Sequence, residues 1–382
     1  MRILSIFGTR PEAIKMCPVV QAVSDVPGWE SLVCVTAQHR EMLDQVLEVF
    51  DVVPNHDLDI MQPGQSLPDL TARLLTALRD VLRQVRPDRV LVHGDTTTTM
   101  AATLAAYYEQ IPVGHVEAGL RTHDIYSPWP EEVNRRMTSV IADLHFAPTP
   151  RAQQNLLDEG VPQNQIAVTG NTVIDALLQV VNHLEDDLAA KAKAGAALPT
   201  LSPDKPVVLV TGHRRENFGE GFANICTAIR DVAEAGAAQF VYPVHLNPNV
   251  QGPVRASLGE CEDIHLIEPL SYLPFVALMQ RSDIVLTDSG GIQEEAPALR
   301  KPVLVMRNTS ERPESIEAGC AMLVGTESDA IRDALTRLLG CSATRDRMTA
   351  GGSPYGDGAA ARQICAFIAE STEAPTQTLR AN

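Results

Sequence analysis

The sequence predicts an α/β protein with two consecutive doubly wound domains. Short runs rich in valine, isoleucine and leucine alternate along the chain with longer helical patterns. Continuous apolar strands separated by helices indicate βαβ units, in which helices cover both faces of a parallel sheet. The length of 382 residues exceeds the size at which one hydrophobic core keeps growing. We therefore expect two Rossmann-like domains.

Each half of the sequence contains a series of predicted strands. Those of the first half are ILSIF at 3–7, SLVCVT at 31–36, RVLVHG at 89–94, VGHV at 113–116 and HFAP at 145–148. Those of the second half are VVLVTG at 207–212, QFVYPV at 239–244, DIHLIE at 263–268, DIVLTD at 283–288 and PVLVM at 302–306. Between them, one long helical pattern starting near residue 171 precedes the turn-rich stretch PTLSPDKP. We expect an N-terminal domain at 1–170 and a C-terminal domain at 171–365.

Composition narrows the classes of partner and the compartment. The formal charge of −17 argues against nucleic acid and anionic membranes as partners, because both require faces rich in lysine and arginine. The N-terminus MRILSIFGTR lacks the pattern of a signal peptide, and no apolar run reaches the ~20 residues of a membrane span. The seven cysteines form no CxxC pair and no zinc-site spacing. We expect a cytoplasmic protein with reduced thiols, no metal and no cofactor.

Residues just past the carboxyl ends of parallel strands line the ligand crevice of such a domain. If the two domains face each other, these residues share one central cleft. The polar residues at these positions are Arg10, Lys15, Asp95, Glu117, His213, His245, Asp288 and Ser289.

Two loops have the features of anion sites. In GTRPEAIK, Gly8 makes the turn and Pro11 begins a helix, so that Arg10, Lys15 and free N–H groups face an anion. A plain strand-to-helix turn is the alternative.

The second loop, TDSGGIQEEAP, is the more specific pattern. There Ser289, Gly290 and Gly291 give a bare turn suited to a diphosphate, and Glu295 on the following helix suits ribose hydroxyls. A helix N-terminus whose dipole favours acidic residues is the alternative.

A group of acidic residues and one histidine points to proton transfer. Asp95, Glu117, Glu131 and His213 should include groups with perturbed pKa values, as acid–base catalysis near neutral pH requires. Taken singly, each is more often a helix cap, a surface carboxylate or a hydrogen-bonded histidine. Arg214, Arg215 and Arg312 add guanidinium groups suited to diphosphate oxygens.

Ten motifs in family order give the chain a specific resemblance over residues 1 to about 368. They are FGTRPEAIKM, VTAQHREMLDQV, VLVHGDTTTT, VGHVEAGLRT, SPWPEE, GNTVIDAL, TGHRREN, YPVHLNP, LTDSGGIQEEAP and PYGDG. With them the chain resembles the bacterial non-hydrolysing UDP-N-acetylglucosamine (UDP-GlcNAc) 2-epimerases.

The resemblance implies a glycosyltransferase-B-like fold in which the second domain holds UDP and the final helix, at about 366–382, packs back on the first. It implies reversible C2 epimerisation of UDP-GlcNAc to UDP-N-acetylmannosamine (UDP-ManNAc), a homodimer, and a supply of ManNAc for cell-surface polysaccharides. Its catalytic positions fall on Asp95, Glu117, Glu131 and His213. Its ligand contacts fall on Arg10, Lys15, Leu270, Phe275, Ser289, Gly290, Gly291, Glu295 and Arg312.

Four further interpretations stay open at the level of sequence. By resemblance, Gln38, Glu131, Arg214 and His245 fall where an activating second UDP-GlcNAc binds, although Glu41 departs from the glutamine of some relatives. A glycosyltransferase of the same fold would need an acceptor groove instead of the carboxylates, and a hydrolysing epimerase would release free sugar. A nucleotide-sugar-binding protein would dispense with the acid–base residues, all of which are present.

Overall fold

The computed structural model describes residues 1–36, 40–62 and 64–373, and it divides into two compact units. Unit 1 comprises Met1–Ala176 together with the chain from Tyr355 onward, and unit 2 comprises Leu177–Pro354. The division falls inside a helix that begins at Thr172. The sequence-based boundary near residue 170 lies just before that helix.

Unit 1 is built on a parallel sheet with the strand order β3-β2-β1-β4-β5-β6-β7. The strands are β1 (Arg2–Phe7), β2 (Glu30–Val35), β3 (His56–Asp57), β4 (Arg89–His93), β5 (Val113–Val116), β6 (Leu144–Ala147) and β7 (Ile166–Val168). The helices are α1 (Arg10–Ser24), α2 (Arg40–Val49), α3 (Leu67–Val85), α4 (Thr97–Tyr108), α5 (Glu131–Ile141), α6 (Pro150–Asp158) and α7 (Thr172–Asp186), which continues into unit 2. The order places β1, β4 and β5 side by side in the middle of the sheet.

Unit 2 repeats the plan with the strand order β10-β9-β8-β11-β12-β13, again parallel. Its strands are β8 (Val207–Thr211), β9 (Gln239–Pro243), β10 (Ile264–Ile267), β11 (Ile284–Thr287), β12 (Val303–Val305) and β13 (Ala321–Leu323). Its helices are α8 (Leu188–Ala196), α9 (Glu220–Glu234), α10 (Pro248–Leu258), α11 (Tyr272–Arg281), α12 (Gly290–Ala298), α13 (Pro313–Glu317), α14 (Ser328–Gly340) and α15 (Ser342–Thr349). The predicted fold class, two doubly wound α/β domains, is confirmed.

The predicted strands all occur within a residue or two of their expected ends, and three short strands were not predicted. These are β3, β7 and β13, of two or three residues each, whose sequences HD, IAV and AML contain no extended apolar run. The single long helix expected after residue 171 was wrong. It is interrupted at Asp187, whose carboxylate accepts the N–H groups of Ala189 and Ala190 and so caps α8 as a new helix.

The last described helix, α16 (Ala360–Glu373), belongs to unit 1 and packs against α1. Its N-terminus is capped by Asp175, which accepts the N–H groups of Ala360 at 3.2 Å and Ala361 at 2.9 Å. Phe367 meets Phe146 of β6 edge-to-face with ring centroids 6.1 Å apart. The helix predicted at about 366–382 thus begins earlier, and residues 374–382 lie outside the described part. No described helix has the length and apolar character that crossing a membrane requires.

Candidate active site

The loops that follow β1, β4 and β5 meet at the carboxyl edge of the unit 1 sheet, because these three strands are neighbours. Arg10 begins α1 after the first loop, Asp95 follows β4, and Glu117 directly follows β5. Their positions at strand ends alone predict that these residues lie together.

Three neighbouring side chains hold the carboxylate of Glu117. This residue has φ +62°, a left-handed conformation uncommon for residues other than glycine. Its Oε1 forms an ion pair with the Lys15 ammonium and accepts a hydrogen bond from Asn171 Nδ2 at 2.8 Å. Its Oε2 lies 3.5 Å from His93 Nε2. The side chain is only 9% exposed, so these neighbours fix its position.

His93, the last residue of β4, is a buried and neutral neighbour of Glu117. Burial lowers the pKa of its imidazole to about 4, although the Glu117 carboxylate opposes this shift. At neutral pH the ring therefore carries no charge beside Glu117.

Two residues of α5 hold Asp95 in place. Its carboxylate pairs with the Arg135 guanidinium, and its carbonyl oxygen accepts Asn134 Nδ2 at 3.0 Å. Burial raises the pKa of Asp95, the charges of Glu117 and Glu131 add to this, and Arg135 opposes it. A carboxyl group with a raised pKa is closer to the range in which a proton can be both taken and given.

Glu131 and Glu132 begin the same helix with different surroundings. Glu131 Oε2 is buried and makes no hydrogen bond within the described residues. Glu132 is fully buried, accepts the N–H groups of Thr122 and His123, and pairs with Arg136 at 3.0 Å. Glu132 therefore fixes the preceding loop, while Glu131 keeps an oxygen available for chemistry.

Glu12 joins the loop after β1 to the loop after β4. Its Oε2 accepts the N–H groups of Gly8 at 3.0 Å and Thr9 at 2.7 Å. Its Oε1 accepts the hydroxyls of Thr96 at 2.6 Å and Thr99 at 3.1 Å. Burial raises the pKa of Glu12, and these hydrogen bonds oppose the shift. The loop bearing Arg10 and the loop bearing Asp95 are thereby tied to one carboxylate.

In unit 2, Asp288 has the same organising role. It follows β11, is fully buried, and accepts the N–H groups of His213 at 3.0 Å and Arg214 at 2.9 Å. It also accepts Asn217 Nδ2 at 3.1 Å. The loop after β8, which carries His213 and Arg214, is therefore shaped by the strand next to it in the sheet.

The imidazole of His213 stacks on that of His245, with centroids 5.4 Å apart and planes 17° from parallel. Partial burial lowers the pKa of His213 below its usual value, and Asp288, with Oδ1 3.5 Å from His213 Nδ1, opposes this shift. His245 and Arg214 add to the lowering. A largely neutral His213 at pH 7 can accept or relay a proton.

Guanidinium groups surround the start of α12. A methyl group added at Gly290, the first residue of this helix, would lie 3.8 Å from Arg214 Nη2 and 3.8 Å from Arg312 Cζ. The helix dipole and two guanidinium groups thus converge on one place, an arrangement that suits diphosphate oxygens. Gly291 has open space beside it, with no atom within 4 Å of an added methyl.

The arginines of this region are paired with carboxylates. Arg312 pairs with Glu294, and Arg214 lies 3.6 Å from Glu311. Although burial raises the pKa of Glu311, the guanidinium groups of Arg214, Arg307 and Arg312 hold it below its usual value.

The remaining candidate residues of unit 2 are Glu295, Ser289, Leu270 and Phe275. Glu295, 7% exposed on α12, accepts the hydroxyl of Tyr272 at 3.1 Å. The Ser289 N–H is taken by Thr287 Oγ1 at 2.9 Å. Leu270 and Phe275 are half-buried and pack on the apolar core of unit 2.

In unit 1 the structure brings Lys15, Asp95 and Glu117 together, and the charge of Glu131 acts on Asp95. In unit 2 it brings together His213, Arg214, His245, Gly290 and Arg312. Gln38 lies outside the described residues. Sequence reasoning missed Glu12 and Asn171, although TRPE, with glutamate three residues after threonine, is a capping-box pattern. In the described residues, no three or more His, Cys, Asp or Glu side chains are grouped as metal ligands.

Comparisons with known proteins identify the family of the chain. The family model described as UDP-N-acetylglucosamine 2-epimerase matches residues 21–369. The UDP-N-acetylglucosamine 2-epimerase of Escherichia coli K12 is 56% identical over 97% of this chain and 98% of its own. The crystal structure of the Neisseria meningitidis UDP-GlcNAc 2-epimerase bound to UDP-GlcNAc superposes with a TM-score of 0.89 at 51% identity, covering 97% and 100% of the two chains.

A calicheamicin glycosyltransferase shares the fold alone, at 16% identity and a TM-score of 0.56, covering 96% of this chain and 98% of its own. The fold defines the chain as an α/β protein of glycosyltransferase-B-like architecture. The chain belongs to the UDP-N-acetylglucosamine 2-epimerase family.

The Glu12 network leads to a prediction about two substitutions. In Glu12→Gln one amide oxygen can still accept the Gly8 and Thr9 N–H groups, and the threonine hydroxyls can rotate to accept from the new amide. Glu12→Ala removes the acceptor of the Gly8 and Thr9 N–H groups, so we expect a loss of roughly 2–5 kcal/mol in the free energy of unfolding. Urea denaturation of both variants measures this, and an equal loss in both would contradict the network.

Proposed function

We propose that this chain catalyses the reversible epimerisation of UDP-GlcNAc and UDP-ManNAc at C2 without releasing free sugar. The observation that carries the proposal is the set of carboxylates around Glu117, since the same fold used for glycosyl transfer has no need of several acid–base groups. The names of its relatives, and the UDP-GlcNAc bound in the Neisseria structure, support the same substrate.

The reaction needs a route that avoids a free carbanion, because the C2 hydrogen is not next to a carbonyl group. We propose that the bond from C1 to the diphosphate oxygen breaks while a base removes the C2 proton. The products of this step are UDP and 2-acetamidoglucal. Proton delivery to the other face of C2 and return of the diphosphate oxygen to C1 then give the epimer.

Departure of the anionic UDP requires positive charge to stabilise it. Arg312 and the N-terminus of α12 are suited to the diphosphate, and Glu295 to the ribose hydroxyls. We propose that Leu270 and Phe275 contact the uracil base of UDP, because both present partly exposed apolar surface. Arg10 and His213 are proposed to act on the departing diphosphate.

Proton transfer falls to the carboxylates of unit 1. Glu117, Asp95 and Glu131 are proposed to stabilise the cationic ring and to exchange protons with the two faces of C2. Burial and mutual repulsion keep the pKa of Asp95 above its usual value, which helps a carboxyl group to donate. Which carboxyl group serves which face stays open. The use of ManNAc in surface polysaccharides and the cytoplasmic location stay predictions.

Proton NMR of UDP-GlcNAc incubated with the protein in D2O tests the proposal. We expect UDP-ManNAc carrying deuterium at C2, followed by deuterium in the remaining UDP-GlcNAc. We expect Glu117→Gln to slow this exchange by about 10²–10⁴-fold, the range for losing an acid–base group, while UDP binding survives. Glu48→Gln on the exposed side of α2 is the matched control. Free sugar plus UDP would show hydrolysis, and unchanged substrate would refute the proposal.

A second nucleotide site is proposed around His245 and Arg214. His213, Arg214, Arg215 and His245 line one pocket in unit 2, and Arg214 Nε is buried without a hydrogen bond in the described residues. We expect rates against UDP-ManNAc to be sigmoidal and to become hyperbolic with a trace of UDP-GlcNAc. His245→Ala should remove this response, and His183→Ala, on the exposed side of α7, should not. A hyperbolic response in the unmodified protein would exclude activation.

The homodimer is proposed to form through α5 and the end of α4. Val133, Met137 and Val140 share one face of α5, and Val140 is 85% exposed. Tyr107 and Tyr108 end α4, which packs against α5, and are 59% and 67% exposed. An apolar patch of this kind marks an interface.

We expect Val140→Asp to shift the protein from dimer to monomer in sedimentation velocity at micromolar concentration. Val53→Asp is the control, since Val53 is 80% exposed and lies in a loop. A dimer that survives Val140→Asp would place the interface on another face.

A further inference from the structure

The motifs GNTVIDAL and PYGDG have no part in the proposed chemistry, yet the structure brings them together in unit 1. The Asn171 N–H donates to the Tyr355 carbonyl oxygen at 2.7 Å. Gly170 has φ +82°, and a methyl group there would lie 2.9 Å from the same oxygen. Only glycine allows this approach. The backbone of Asn171 is therefore locked by a segment far along the chain.

The side chain of Asn171 is equally restricted. It is 2% exposed, and its Oδ1 accepts the Val173 N–H at 3.1 Å. Because a backbone N–H can only donate, the amide oxygen must face Val173, and Nδ2 must point the other way. There it meets Glu117 Oε1 at 2.8 Å. The orientation of the amide, and hence its donor role toward Glu117, follows from the backbone.

Glu117 needs such a partner because its backbone is in a left-handed conformation that its side chain does not favour. Lys15 and His93 also face the carboxylate, but each can change its charge with pH. Asn171 is a neutral donor at every pH. It can therefore hold the carboxylate in one orientation whatever the protonation of its neighbours.

We propose that Asn171 is a positioning residue for Glu117, itself held in place by the carbonyl group of Tyr355. The inference rests on the proposed acid–base role of Glu117. An amide donor also favours the ionised carboxylate, so its removal should raise the pKa of Glu117. Among the described residues, the charged or titratable groups near Glu117 include Lys15 from α1, His93 from β4 and Asp95 from the following loop.

Asn171→Ala and Asn171→Asp test the proposal in the full chain. Asn171→Ala removes the donor, and we expect kcat to fall about ten- to a hundredfold with KM within about threefold. The acid limb of the pH–kcat profile should move to higher pH. Asn171→Asp keeps an oxygen for Val173 but places a carboxylate against Glu117, so both effects should be larger. Asn55→Ala is the control, because Asn55 accepts the Val33 N–H at 2.8 Å, away from Glu117.

A direct titration separates this proposal from the proposed function. The ¹³C NMR signal of Glu117 Cδ, assigned by its absence in Glu117→Gln, should titrate at higher pH in Asn171→Ala than in the unmodified protein. A lower kcat with a lower melting temperature but an unchanged Glu117 titration would overturn the proposal and leave Asn171 a purely structural residue. If the unmodified protein does not epimerise UDP-GlcNAc, the proposed function fails, while the titration still decides whether Asn171 controls Glu117.

Discussion

The arrangement of the candidate residues in each unit depends on a buried carboxylate that accepts N–H groups from the loops at the strand ends. Glu12 does this in unit 1 and Asp288 in unit 2. Burying a carboxylate is costly unless hydrogen bonds replace its water, and here several donors do so. The same hydrogen bonds that offset the burial of the carboxylate also hold the loops. The loops therefore cannot rearrange without exposing the carboxylate or removing its hydrogen bonds. This coupling fixes the short loops that carry the candidate residues.

Rigid loops allow Glu117 to keep a conformation that is unfavourable in isolation. The left-handed backbone turns its side chain away from the strand direction, toward Lys15, His93 and Asn171. Strain of this kind costs of the order of 1–3 kcal/mol and persists only where the surroundings over-determine it. Glu117 lies beside Asp95 at the same edge of the sheet, and its charge adds to the raised pKa of Asp95.

The fold could be predicted from the sequence because continuous apolar strands and their spacing determine a doubly wound sheet. The strand-end rule then selected Asp95, Glu117, His213 and the start of α12 without any tertiary information. It could not select Asn171, which comes near Glu117 only through the pairing of distant segments. Glu12 could have been predicted from its capping-box spacing. Its contacts with Thr96 and Thr99, however, depend on β1 and β4 being neighbours, which local sequence does not reveal.

Pairing of charges explains how a chain with a net charge of −17 can present cations to an anionic ligand. Lys15, Arg135, Arg214 and Arg312 each lie against a carboxylate. These carboxylates hold the cations in defined positions and lower the cost of burying them. They also compete with phosphate oxygens for the same donors, so a bound diphosphate gains less than the number of cations suggests. Weak binding of the diphosphate suits the proposed reaction, in which UDP would leave C1, remain bound beside the glucal and return to C1.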